Sequence, residues 1–176
     1  MKLSAKMKKA LNDQVAMEAY ASNYYLSMAS WCEVTGYDGS AKLLYQQGDE
    51  ERMHMIKIIQ YLNDIGVGAT IPSVKQPPSS FKSLESIFKT ALKNEQAVTA
   101  SFDKMVELAQ KDKDHATFTF LQWFVNEQVE EEKKMETILQ KFDLLGRDKI
   151  GVYEVDKIIG QMAAAAPDPT ADTQGQ

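Results

Sequence analysis

GDEERMHM, residues 48–55, places Glu50, Glu51 and His54 inside a run that otherwise has the spacing of an amphipathic helix, with Leu43, Leu44, Ile56, Ile58 and Ile59 around them. Residues three and four apart share one helix face. The inward row is then Leu44, Gly48, Glu51, His54 or Met55, Ile58, Leu62 and Ile65. A carboxylate and an imidazole stand where an apolar stripe should continue.

The same interruption recurs along the chain. An earlier segment has the row Leu11, Val15, Glu18, Ser22, Tyr25, Ala29 and Cys32, with Glu18 between apolar neighbours. A third has Leu84, Phe88, Ala91 or Leu92, Glu95, Val98, Phe102 and Met105, in which Glu95 is the acid. The fourth reads Leu121, Phe124, Gln128, Glu131, Met135, Ile138, Phe142 and Leu145, with Gln128 and Glu131 near its middle. Every long helical segment therefore has a polar break at mid-length.

Breakers delimit these segments at about 5–35, 40–65, 84–111 and 115–145, and strand periodicity is absent. A shorter helix is expected at about 152–162. Residues 163–176, AAAAPDPTADTQGQ, have the composition of a disordered tail, so the expected domain spans 1–162. The links near 36–39 and 112–114 are short and favour antiparallel neighbours. The Pro- and Ser-rich stretch after Ile65 can run the length of a rod, which makes the second and third helices parallel. The fold class is all-α: an up-down-down-up four-helix bundle with one long crossover and a short fifth helix.

Composition narrows the partners. The chain has 176 residues, 44% of them hydrophobic, and a net charge of −5, which argues against nucleic acid and suits a surface that attracts cations. No apolar run is long enough to span a membrane, the N-terminus MKLSAKMKKALNDQ lacks the apolar core of a signal peptide, and the lone Cys32 forms no internal disulfide. A cytoplasmic location is expected, with Cys32 a small core residue. His115, in KDKDHAT at a helix start, is expected on the surface.

Four converging carboxylates need a counter-charge, because each unpaired buried ion costs several kcal/mol. Lys and Arg are absent from these central positions, apart from Arg52, which helical phase turns away from the His54 face. A bound metal is the economical answer. Oxygen ligands with one imidazole nitrogen and no thiolate suit Fe²⁺, Mn²⁺ or Zn²⁺. Glu51 and His54, at i and i+3, can reach one ion together. Without metal, some of the carboxyls should have raised pKa values. Glu95→Leu should then stabilise the metal-free protein unless Glu95 holds a salt bridge or hydrogen bond.

Glu18, the later Tyr25, the Glu-x-x-His of Glu51 and His54, Glu95, and NEQVEEE at 126–132 together resemble the iron-binding set of the ferritin family. SMASWC at 27–32 and FLQWFVNEQVEEEK at 120–133 resemble its non-haem bacterial branch. The resemblance implies that Glu18, Glu51 and His54 bind one iron, that Glu51 bridges to a second, and that Glu95 and Glu131 hold the second. It implies a third site from Glu50, Glu127, Glu130 and Glu131, with Tyr25 and Gln128 as supporting or transient partners. It further implies Fe²⁺ oxidation by O₂ or peroxide and storage of Fe³⁺ inside a shell of twenty-four copies.

Two departures from related patterns sharpen these expectations. Di-iron enzymes of this architecture generally carry two Glu-x-x-His pairs, whereas the fourth helix here has no His, so the second site loses a nitrogen ligand and should release oxidised iron. Bacterioferritins ligate haem with a Met directly after the bridging Glu; Arg52 stands there, and no haem is expected. A fifth helix separates this chain from Dps-type cages. A rubrerythrin-like peroxidase or oxidase and a metal-free helical interaction module remain as alternatives, though neither a second Glu-x-x-His nor a Cys₄ segment supports the former.

Overall fold

The computed structural model describes residues 3–165 and contains five helices: α1 (Ala5–Thr35), α2 (Asp38–Asp64), α3 (Leu84–Asp112), α4 (His115–Leu145) and α5 (Lys149–Ala165). Local chemistry sets most of their ends. Ser4 accepts from Met7 N and starts α1; Ser83 and Ser86 exchange hydrogen bonds at the start of α3; Asp114 accepts from Thr117 N at the start of α4. Gly36, at φ +86°, closes α1 in the left-handed conformation that favours glycine. Among the described residues there is no strand, and no helix is long and apolar enough to cross a membrane.

Two apolar clusters reveal the topology. One joins Met7 and Leu11 of α1 to Leu62 of α2, Phe102 of α3 and Phe124 of α4. The other joins Met28 and Cys32 of α1 to Leu44 of α2, Phe88 of α3 and Phe142 of α4, with Val155 and Ile159 of α5. Helix α1 therefore runs from the first cluster to the second, α2 returns, α3 runs in the same direction as α2, and α4 opposes both. This is the expected up-down-down-up bundle. Residues 65–83 make the crossover along α1: Thr70 N donates to Asn12 Oδ1 at 2.6 Å, and farther along Ser27 Oγ donates to the Pro78 carbonyl at 2.6 Å. Cys32 is fully buried, and burial pushes its thiol up to about 12.

Three expectations need correction at the helix ends. Helix α2 begins at Asp38 rather than near 40, so Gly39 lies inside it. The reason is tertiary: Asp156 of α5 accepts from Gly39 N at 3.1 Å and from both Ser40 N and Ser40 Oγ at 2.8 and 2.6 Å, capping α2 from another helix. Helix α5 begins at Lys149, because Asp148 accepts from Ile150 N and Gly151 N, and it runs on through Ala163 to Ala165. The tail expected from 163 is thus helical to 165; residues 166–176 lie outside the described residues. Leu145, assigned to the inward row of α4, is 41% exposed as the helix leaves the bundle.

The α2–α5 contact is close enough to test. A Cβ at position 39 would come 2.1 Å from the Asp156 carbonyl oxygen and 2.9 Å from Gly160 N, both backbone atoms that cannot turn aside. Gly39→Ala should push α5 off the bundle and cost about 1–3 kcal/mol. The checks are a lowered melting temperature and faster hydrogen exchange across 149–165; wild-type exchange there would show that the contact is soft.

Candidate metal centre

Between the two apolar clusters lies a polar layer to which all four long helices contribute. Glu18, Glu51, His54, Glu95, Gln128 and Glu131 are each 3% exposed or less. They occupy the turns where the inward rows break, and His54 rather than the half-buried Met55 takes the inward place on α2. The carboxyls are almost completely shielded from bulk solvent.

Glu18, Glu51 and His54 offer one ligating atom each, and these atoms all lie within 4.8 Å of one another. Among the described residues they are the one set of three or more acid, His or Cys side chains meeting that test. His54 Nδ1 stands 3.4 Å from Glu51 Oε2. The imidazole packs edge-on against the rings of Trp123 and Phe124, at 5.4 and 5.9 Å between centroids, which restrains its orientation. Glu18 Oε1 accepts from Gln14 Nε2 at 2.8 Å, and Ser101 Oγ of α3 donates to Gln14 Oε1 at 2.5 Å. Glu18 Oε2 is buried and accepts from no N–H or hydroxyl; it faces the Glu51 carboxyl, with which Glu18 can share a proton. A carboxyl oxygen with no such donor, beside a second carboxyl and an imidazole, fits the donor set of a divalent cation.

The other acids are engaged differently. Glu95 accepts from the Tyr25 hydroxyl on one oxygen and from Gln128 Nε2 on the other at 3.1 Å. Glu131 accepts from Gln47 Nε2 at 2.9 Å and from Lys134 Nζ at 2.7 and 3.0 Å. Glu50 is half-buried, accepts from Gln47 Nε2 at 3.1 Å and lies 3.5 Å from Lys134 Nζ. Glu127 is half-buried and Glu130 exposed, and among the described residues no hydrogen bond or ion pair ties either to the centre. His115 is exposed, and Arg52 faces outward.

Burial dominates the electrostatics. It raises the Glu18 carboxyl well above the usual carboxylate range, with repulsion from Glu51 adding to it; it does the same at Glu51, where Glu95 adds to it. Glu95 is raised by burial and partly restored by its bonds from Tyr25 and Gln128. Glu131 is pushed up to about 7, again by burial, against the pull of Lys134. Glu127 is raised by burial too. The Tyr25 hydroxyl is held well above its ordinary value by burial and by Glu95, so it stays a donor. For Lys134, burial works to lower the value, but the carboxylates of Glu131 and Glu50 outweigh it.

The expected lack of positive charge is therefore corrected. Lys134 lies off the inward row of α4, yet its flexible stem carries the ammonium back to Glu131, one turn earlier. Gln14 and Gln47 also went unrecognised as members of the layer. Each precedes its carboxylate by one turn: Gln14 by four residues from Glu18, and Gln47 by four from Glu51 and three from Glu50. That spacing was the available signal. The expectation for Glu95→Leu changes as well. The substitution would strip the buried Tyr25 hydroxyl of its acceptor and leave Gln128 Nε2 only its 3.3 Å bond to the residue 95 carbonyl, and an unpaired buried donor costs on the order of 1–3 kcal/mol, so the variant should lose stability.

Helices, topology and an intra-bundle carboxylate–imidazole site define a ferritin-like four-helix bundle. Residues 8–145 match the ferritin-like domain family, and the chain belongs to the ferritin family. A bacterial non-heme ferritin of Staphylococcus haemolyticus is 43% identical over 88% of this chain and 93% of its own length. A probable bacterial non-heme ferritin-like protein of Haemophilus influenzae is 40% identical over 93% of this chain and 99% of its own. Among solved structures, an open pore ferritin from Archaeoglobus fulgidus superposes with a TM-score of 0.87 at 37% identity, covering 91% of this chain and 98% of that one.

Proposed function

We infer that the protein stores iron, and that it oxidises Fe²⁺ at a di-iron centre within the bundle before depositing Fe³⁺ as mineral inside a shell of its own copies. The observation that carries this reading is the buried Glu18–Glu51–His54 group with a Glu18 oxygen that accepts from no N–H or hydroxyl. These three residues bind the first Fe²⁺. Glu51 bridges to a second ion held by Glu95 and Glu131, while Tyr25 and Gln128 each donate to one Glu95 oxygen and hold the carboxyl in place. Each Fe²⁺ gives up one electron: two reduce O₂ to the peroxide level, or one peroxide to water, with protons from solvent completing the products.

The second site has oxygen donors alone, and storage requires Fe³⁺ to pass onward from it. Glu50, Glu127 and Glu130 lie toward the surface and offer that ion a third position on its way out. No haem takes part. A homo-oligomer, with twenty-four subunits as the family's shell, supplies the container, and a cytoplasmic setting supplies reduced iron. Supporting the shell, the relatives named above are non-heme ferritins and a pore-bearing ferritin.

Anaerobic addition of Fe²⁺ to the metal-free protein, followed by air, tests site and container together. Rapid absorbance growth in the near ultraviolet, with iron co-eluting with a large assembly, is the expected outcome. Oxidation no faster than in buffer would favour a metal-free interaction bundle instead.

A further inference from the structure

Lys134 occupies a cup of oxygens. Its Nζ lies 2.6 Å from Gln47 Oε1, 2.7 and 3.0 Å from the two oxygens of Glu131, and 3.5 Å from Glu50 Oε2. Two helices, α2 and α4, therefore direct four oxygens at one positive centre. Gln47 organises the cup, since its Nε2 donates to both Glu131 and Glu50 while its Oε1 accepts from Lys134. The Lys134 side chain is 26% exposed and that of Glu131 2%, so the ammonium sits at the outer rim with the buried carboxylate beneath it.

A divalent ion and this ammonium cannot share Glu131. Both seek the same lone pairs, and like charges a few ångströms apart repel strongly in a partly desolvated site. The Lys stem is flexible and its head is strongly hydrated, so it can swing into solvent once displaced. We propose that Lys134 is a built-in placeholder cation: it holds Glu131 and Glu50 in the metal-free protein and must leave before a second divalent ion takes them. Loading is then ordered, first at Glu18, Glu51 and His54, then on the Glu131 side. The Glu131 side also binds more weakly than its carboxylates alone would dictate, because every entering ion first breaks charge-assisted hydrogen bonds. Lys134 is in this sense a positioning residue that sets affinity and order, and its role rests on the assignment of Glu131 as an iron ligand.

Calorimetric titration of the assembled metal-free protein with Zn²⁺, which is redox-inert, separates the roles. The wild type should show a tighter and a weaker class of binding. Lys134→Met keeps an unbranched chain one atom shorter and removes the charge; it should leave the tighter class unchanged and strengthen the weaker by on the order of tenfold or more. Lys134→Arg, which keeps the charge, should not strengthen it. An unchanged or weakened second class in the Met variant would overturn the proposal and leave Lys134 a structural ion pair.

A second measurement needs no substitution. Acylation of Lys134 in the wild type, read by mass spectrometry, should quicken on saturation with Zn²⁺ as the ammonium is released. Protection that persists at saturation overturns displacement. Failure of the centre itself looks different: the tighter class would be present in His54→Ala at wild-type strength, which removes the first site and the proposal with it.

Discussion

His54→Ala should slow rapid Fe²⁺ oxidation at least 10–100-fold, on the order of what even outer partners of a metal ligand contribute, while the bundle remains folded. His54 is the nitrogen donor of the Glu18–Glu51–His54 group and is 3% exposed. Its removal leaves two carboxylates whose mutual repulsion then lacks the metal that would offset it. Folding should survive because the two apolar clusters lie on either side of the layer and lose only the edge contacts of the imidazole with Trp123 and Phe124. Stopped-flow absorbance and circular dichroism on the same sample make the check. Wild-type rates in a folded variant would count decisively against this site.

Glu18→Gln should do the opposite to stability: the metal-free variant should be more stable than the wild type at neutral pH, by on the order of 1–3 kcal/mol. Glu18 is fully buried, keeps one oxygen that accepts from no N–H or hydroxyl and faces Glu51. A neutral amide of the same shape retains the bond from Gln14 and removes the cost, at neutral pH, of either burying a negative charge or taking up a proton to avoid it. The pH dependence has a definite sign. Because the folded-state pKa of Glu18 is raised, the folded protein holds a proton that the unfolded chain has lost, so the contribution is fully present below about pH 4.3 and declines as pH rises through the folded value. The two proteins should therefore melt together near pH 4 and diverge upward from there.

Glu131, pushed up to about 7, should add a parallel decline in wild-type stability between about pH 4.3 and pH 7. Divalent metal should reverse the ranking. It binds the ionised wild-type site and stabilises it by mass action, by about 2.7 kcal/mol at a hundred times the dissociation constant, and should stabilise the Gln variant less. Thermal melts across pH with and without Zn²⁺ would expose an error in either arm. A less stable Gln variant at pH 7 would mean that Glu18 is anchored by more than Gln14.

Helix phase about its own axis is a property of sequence alone, since side chains three and four apart must share a face whatever the surroundings. That is why the rows through Glu18, Glu51, His54, Glu95, Gln128 and Glu131 were legible in the chain and are buried in the bundle. The same holds for the crossover, because two short links and one long one leave few ways to arrange four rods. Contacts between helices are another matter. They depend on axial register and on how far flexible side chains reach, and neither is encoded in one helix's periodicity.

Packing alone brought Asp156 onto the start of α2, turned Gly39, in the expected 36–39 link, into a contact surface, and engaged Glu95 with Tyr25 of another helix. It also drew the Lys134 ammonium into a carboxylate layer that, by position on the helix, it should have avoided. A lysine's place in the row fixes only its Cα. The charge sits several bonds farther on, and it goes where buried carboxylates lower its energy most.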